Sequence, residues 1–168
     1  MGSPTSTGLS GRTGIVIDIR NEKSIDLNVV LDALNINAGI NWNFGADANQ
    51  ANLLFHDSDS GDESSGLVVN VNDGSLKTPF GDGVSMEALK LLYVKNTHVS
   101  LGLQLLGGST PIAICANLSD IVVIPPGGFF LWADPSAAGL VTTSNFLLKF
   151  LAASSGTVTF DYAILGND

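Results

Sequence analysis

Between residues 85 and 168 the chain is a succession of short apolar runs broken by Gly, Pro, Ser and Asn clusters, with almost no charge. From Thr97 onward the only basic residue is Lys149, and the acids are Asp120, Asp134, Asp161 and Asp168. The runs 89–94, 121–124, 129–133 and 146–151 are too short for ordinary helices and are rich in β-branched or aromatic residues. Short strands at close spacing, bounded by turn residues, are the pattern of an all-β sandwich or barrel.

Seven strands are predicted in this half: 88–96, 100–105, 112–116, 120–124, 128–133, 145–152 and 157–165, with a marginal one at 140–142. Pro125 and Pro126 cannot donate to a ladder and mark a strand end or a sheet edge. In the first half, Ile15, Ile17 and Ile19 alternate with Val16, Asp18 and Arg20, which predicts a strand over 13–20 with one buried face. Residues 21–24 read as a turn. In 25–34 the alternation of Ile25, Leu27, Val29 and Leu31 favours a further strand, while Asp26, Asp32 and the Leu31/Leu34 spacing would also permit a short helix. The Asn-, Ala- and Gly-rich stretch 35–52 reads as a long connection with Trp42 and Phe44 as anchors. Residues 53–56 and 67–71 read as strands, 57–66 as a polar loop and 77–83 as a Pro/Gly loop. Residues 1–12 carry no apolar core, look like no signal peptide, and read as a flexible arm before one domain over 13–168.

At 168 residues the chain is long enough for one hydrophobic core. A net charge of −9 gives no footprint for nucleic-acid phosphates or anionic membranes. The uncharged stretch 99–118 has the length of a membrane span. Its Gln104, Gly107, Gly108, Ser109, Thr110 and Pro111 divide it into two strands around a turn. The single Cys115 cannot form an intrachain disulfide and reads as a small buried hydrophobe.

No catalytic constellation stands out. His56 and His98 have no zinc-protease spacing, no G-x-S-x-G elbow is present, and the glycine pairs match no phosphate loop. Asp57, Asp59, Asp62 and Glu63 alternate around Gly61, a weak pattern for a hard cation. They lack the flanking helices and the twelfth-position Glu of a calcium loop, so a solvated loop is the expectation. No cofactor is implied. The aromatic residues could build a sugar-stacking platform, but their alternation favours core packing.

Four stretches together resemble a family. Residues 45–57, Gly-Ala-Asp-Ala-Asn-Gln-Ala-Asn-Leu-Leu-Phe-His-Asp, resemble the G-A-x-x-A-N/D-x-x-[FW]-x-D segment of small virion proteins of tailed bacteriophages. Phe80-Gly81 followed by residues 88–96, Ala-Leu-Lys-Leu-Leu-Tyr-Val-Lys-Asn, is similar to their F-G … x-x-K-x-x-x-[IV]-x-N strand. Residues 122–139 resemble their V-x-x-x-P-G-G-x-x-L-x-x-A/D-P-x-x-x-G signature, and residues 157–166 fit the last strand.

The resemblance covers residues 40–168 and implies a jelly-roll-like antiparallel β-sandwich acting as a capsid decoration or cement subunit. The partners it implies are the major capsid protein and further copies of the same chain, a homotrimer first and a dimer second, on the capsid surface of a virion assembled in the bacterial cytoplasm. A flexible arm would order on neighbours. This places interface candidates at Thr5, Leu9, Arg12, Trp42 and Phe44. The rival expectation is a receptor- or carbohydrate-binding sandwich at a tail or fibre tip.

Overall fold

The computed structural model of the chain describes residues 9–25, 28–78, 81–107, 112, 114, 120–144 and 147–168, with 17–34 and 107 described by their backbone alone. Thr5, Phe80, Cys115 and Phe146 lie outside the described residues, as does most of the strand expected over 112–116. The described residues form strands and no helix, so no helix among them is long and apolar enough to cross a membrane.

The strands in chain order are β1 (Gly11–Ile25), β2 (Asn28–Phe44), β3 (Gln50–Ala51), β4 (Leu53–Asp62), β5 (Leu67–Asn70), β6 (Leu76–Lys77), β7 (Gly83–Val84), β8 (Ala88–Asn96), β9 (Leu103–Gly107), β10 (Ile121–Ile124), β11 (Phe129–Ala133), β12 (Leu140–Val141), β13 (Leu147–Ala152) and β14 (Thr157–Asn167). Two antiparallel sheets form the body. One has the order β10-β9-β13-β5, the other β11-β8-β14-β4 with the short β12 beside β8. The chain crosses between the sheets at almost every step, so strands distant in sequence become neighbours. The first long body strand, β4, pairs with the last, β14.

Alternation decides which side chains enter the sandwich. In β13, Leu148, Phe150 and Ala152 face in while Leu147, Lys149 and Leu151 are partly exposed. In β14, Val158, Phe160, Tyr162 and Ile164 face in. Phe150 and Phe160 stack at 4.7 Å between ring centroids, and Tyr162 packs on both. Each fully buried aromatic or branched side chain contributes about 1.5–3 kcal/mol, so this cluster is the main source of cohesion. In β11, Phe130 and Trp132 pack toward that core, whereas Phe129 is on the outer face.

Three expectations are corrected. Residues 35–44 continue strand β2 instead of opening a connection, and 21–24 lie inside the β1–β2 ladder instead of turning. Residues 57–62 belong to β4, paired along β14, instead of a loop. The reason is the same in each case: a backbone partner in register outweighs a composition that is poor for strands.

Candidate functional site

The largest feature outside the sandwich is the ribbon formed by β1 and β2. Its antiparallel ladder runs unbroken from Gly11 opposite Trp42 to Ile25 opposite Asn28. Opposed residues share a side of a ribbon. Ile15 therefore shares a side with Ala38, Ile17 with Ile36 and Ile19 with Leu34, continuing a line that begins at Trp42 and Ile40. The other side holds Arg12 with Asn41, Gly14 with Gly39, Val16 with Asn37 and Asp18 with Asn35.

Among the described residues the ribbon is pinned at its base. Trp42 is 3% exposed and belongs to a second small core with Ala51, Leu91 and Leu165, against which Leu9, Ile40, Tyr93 and Leu131 pack. This core lies on the outer face of the β11-β8-β14-β4 sheet, since Leu91 and Leu165 alternate with residues that enter the main core. The Trp42 indole N–H donates to Thr13 Oγ1 at 2.9 Å, which ties β2 to β1 at the base. Beyond the base the same side of the ribbon is open: Ile15 is 38% and Ile36 40% exposed.

The interface candidates therefore divide. Trp42 and Leu9 are engaged within their own chain. Arg12 is exposed and donates to Asn37 Oδ1 at 3.0 Å. Phe44 is 44% exposed instead of anchoring the core. Of the arm expected over 1–12, residues 1–8 lie outside the described residues and 9–12 do not belong to an arm, because Leu9 packs on the Trp42 core and the ladder begins at Gly11.

The motif residues behind the family resemblance interlock. Lys90, fully buried in β8, donates from Nζ to the carbonyls of Ser136 and Ala137, the latter at 2.6 Å. Desolvation holds its pKa below the ordinary lysine value, partly offset by Asp134. The Asp134 carboxylate is held below its usual range by hydrogen bonds from Ser136. Asn96, also buried, donates from Nδ2 to Leu101 O and Ile124 O at 2.8 and 3.0 Å and accepts from the His98 N–H. Its backbone pairs with Gly127 and Gly128 of the Pro-Pro-Gly-Gly turn. The segment after the ribbon joins the same network: the Asn49 N–H donates to Pro135 O and the Asn52 N–H to Gly166 O. Sequence reading placed Lys90 and Asn96 in a strand and missed their bonding. A lysine within a run of leucines was the available signal.

The acidic residues do not gather. Among the described residues no group of three His, Cys, Asp or Glu side chains could hold a metal ion, and Asp57, Asp59, Asp62 and Glu63 are spread along β4 and just past its end. Asp62 serves the turn. Its carboxylate accepts from the hydroxyls and N–H groups of Ser64 and Ser65 and from the Gly66 N–H. Those bonds, with the Ser65 hydroxyl foremost, hold it far below the usual carboxylate range. Burial, with Asp57 and Asp59 nearby, pushes the Tyr162 phenol up.

One shallow depression of about 420 Å³ lies on the outer face of β4, β14 and β8, lined by His56, Asp57, Ser58, Tyr93, Asp161, Tyr162 and Ala163. Ala163 stands in register between His56 and Tyr93 and leaves the space. Histidine, serine and carboxylate thus meet, but Ser58 Oγ donates directly to Asp161 Oδ1 at 2.7 Å. No imidazole stands between hydroxyl and carboxylate, as activation of a serine nucleophile requires. His98 is a turn acceptor, its Nδ1 taking the N–H groups of Ser100 and Leu101. Comparison with protein-family models, curated proteins and solved structures gives no match.

Proposed function

We propose that this chain is a non-enzymatic structural subunit of a tailed-bacteriophage virion, a capsid decoration protein that binds the major capsid protein. The observation that carries the reading is the β1–β2 ribbon, a long two-stranded arm attached to the sandwich at its base, with one side that is apolar from Ile15–Ala38 to Ile19–Leu34 and exposed at Ile15, Ile36 and Ala38. A two-stranded ribbon is marginal in water without cover, and an arm of this kind is suited to ordering against neighbouring subunits. The strand order supports the jelly-roll part of the reading. Numbering the eight principal body strands in sequence, the sheets are 1-8-3-6 and 2-7-4-5, the winding of the double-sheet folds common in viral capsid domains. That support is fold-level analogy. The interlocked Lys90, Asn96 and Gly127 motifs give the resembling segments a shared physical purpose, which is to fix loops onto β8.

The test is co-sedimentation with heads assembled from the major capsid protein of the same phage in the absence of this chain. Saturable binding at a fixed ratio is expected, and so is its loss when the ribbon is shortened. Heads that take up none of the full chain would overturn the reading. The depression beside Tyr93 favours a second reading, a carbohydrate-binding module of the tail. Glycan binding that disappears in Tyr93→Ala, with no uptake by heads, would move the assignment there.

A further inference from the structure

We propose that the β1–β2 ribbons of identical copies pack apolar side to apolar side about a closed rotational axis, so that the chain builds its own oligomeric stalk. The inference deepens the assembly reading above and names the partner of the ribbon as a second copy of this chain.

Four observations select that occupant. The first is periodicity. Ile15, Ile36 and Ala38 are exposed on one side, and the register carries Ile17 and then Ile19 with Leu34 along the same side, which turns polar farther out at Asn21–Asp32 and Lys23. A β-layer that is apolar on one side requires a second layer. The second is length. Beyond its base the ribbon extends for twelve residue pairs, Gly14–Gly39 to Ile25–Asn28, roughly 40 Å at ~3.4 Å per pair. The body strands have 2–11 residues, so the surface in this chain that matches the ribbon in length and narrowness is another ribbon. The chain's own residues 1–8 cannot supply the cover, because Met1 is their only large apolar residue.

The third observation is charge. Residues 11–44 hold three bases, Arg12, Arg20 and Lys23, against four acids, Asp18, Glu22, Asp26 and Asp32, a net of −1. The rest of the chain has four bases against twelve acids, −8 of the total −9. Copies joined along their ribbons bring together the near-neutral part and keep the acidic bodies apart. Repulsion would instead oppose association through the bodies.

The fourth is area. One side of the free ribbon projects roughly 400 Å² per copy, half of the ~800 Å² per partner of a stable interface. The remainder has a source at the base, where Phe44 and Leu54 are each 44% exposed. A three-fold arrangement also covers the long edges of each ribbon.

The parity of the ribbon supplies the test. Sedimentation of the full chain is expected to give a closed oligomer, with three times 17.4 kDa the first expectation. Ile15→Asp with Ile36→Asp is expected to reduce this to a single chain while the thermal transition of the body persists. Val16→Asp, on the opposite side and already 71% exposed, is expected to leave the mass unchanged. In a Cys115→Ser background, Ile36→Cys should form a disulfide between copies and Val16→Cys should not. A monomeric wild type, an oligomer indifferent to the Ile15/Ile36 pair, or cross-linking through Val16 instead of Ile36 would each overturn the proposal. An oligomer that ignores heads leaves the stalk standing and removes the virion reading, whereas a monomer that binds heads does the reverse.

Discussion

At the scale of single residues, the two most consequential side chains are polar and sit where leucines would be expected. Asn96 spends all three of its side-chain bonds at the end of β8, on Leu101 O, Ile124 O and the His98 N–H. Removing it leaves the buried Ile124 carbonyl and the part-buried Leu101 carbonyl and His98 N–H without this partner, and an orphan that is fully buried costs about 1–3 kcal/mol. Asn96→Ala is therefore expected to destabilise the sandwich by roughly 2–4 kcal/mol, read as a lower urea midpoint with an unchanged slope. Lys90→Met is expected to cost less, about 1–2 kcal/mol, because losing the bonds to Ser136 O and Ala137 O is offset by no longer holding an ammonium away from water. Equal losses in the two variants would mean that the desolvation of Lys90 is negligible. These positions were visible in the sequence as part of a motif. Their purpose was not, because it depends on segments 28 to 47 residues away.

At the scale of elements, β2 and β4 show two different limits of sequence reading. Residues 35–44 alternate without exception: Asn35, Asn37, Gly39, Asn41 and Asn43 against Ile36, Ala38, Ile40, Trp42 and Phe44. Their richness in Asn, Ala and Gly suggests a connection, yet the period of two was the stronger signal and identifies a strand. β4 has no such signal. Its inward positions after Phe55 are Asp57, Asp59 and Gly61, and its outward ones are His56, Ser58 and Ser60, so neither side is apolar. What makes it a strand is ten consecutive partners on β14. As the edge of its sheet, β4 uses inward carboxylates to discourage pairing with another chain. It also closes the sandwich at Gly61, where a Cβ would lie 2.7 Å from Phe150 O of β13. Gly61→Val is expected to push β4 off β13 and cost about 1–3 kcal/mol, with amide exchange accelerating in β4 and the end of β14 before the rest of the body. Uniform loss of protection across both sheets would show that β4 is not a separately yielding edge.

At the scale of the whole molecule, the all-β class was legible because turn residues recur at strand intervals through the second half. The pairing of first strand with last was not, because no local pattern encodes contacts a hundred residues apart. The surplus of acid acts at this scale too, and two effects oppose each other as pH falls. Protonation relieves repulsion within a body of net charge −8, which favours the compact state. Against this stand Asp62, Asp73 and Asp134, whose carboxylates are held below their ordinary range by hydrogen bonds from Ser64, Ser65 and Gly66, from Ser75 and from Ser136. A folded-state pKa below the unfolded value means that the unfolded chain takes up the proton first. The stabilisation is therefore present above the unfolded pKa of about 3.9 and disappears as pH falls through the lower folded values. Repulsion among exposed charges is spread out and screened, while the three carboxylates are each held by specific donors, so the carboxylates are expected to prevail. Urea midpoints measured from pH 7 down to strongly acid conditions should hold or rise slightly toward about pH 5 and then fall steeply below about pH 4. The triple variant Asp62→Asn, Asp73→Asn, Asp134→Asn should be less stable at neutral pH and converge with the wild type in acid. Curves that stay parallel throughout would show that these turns do not set the acid limit, and that the diffuse charge of the body does.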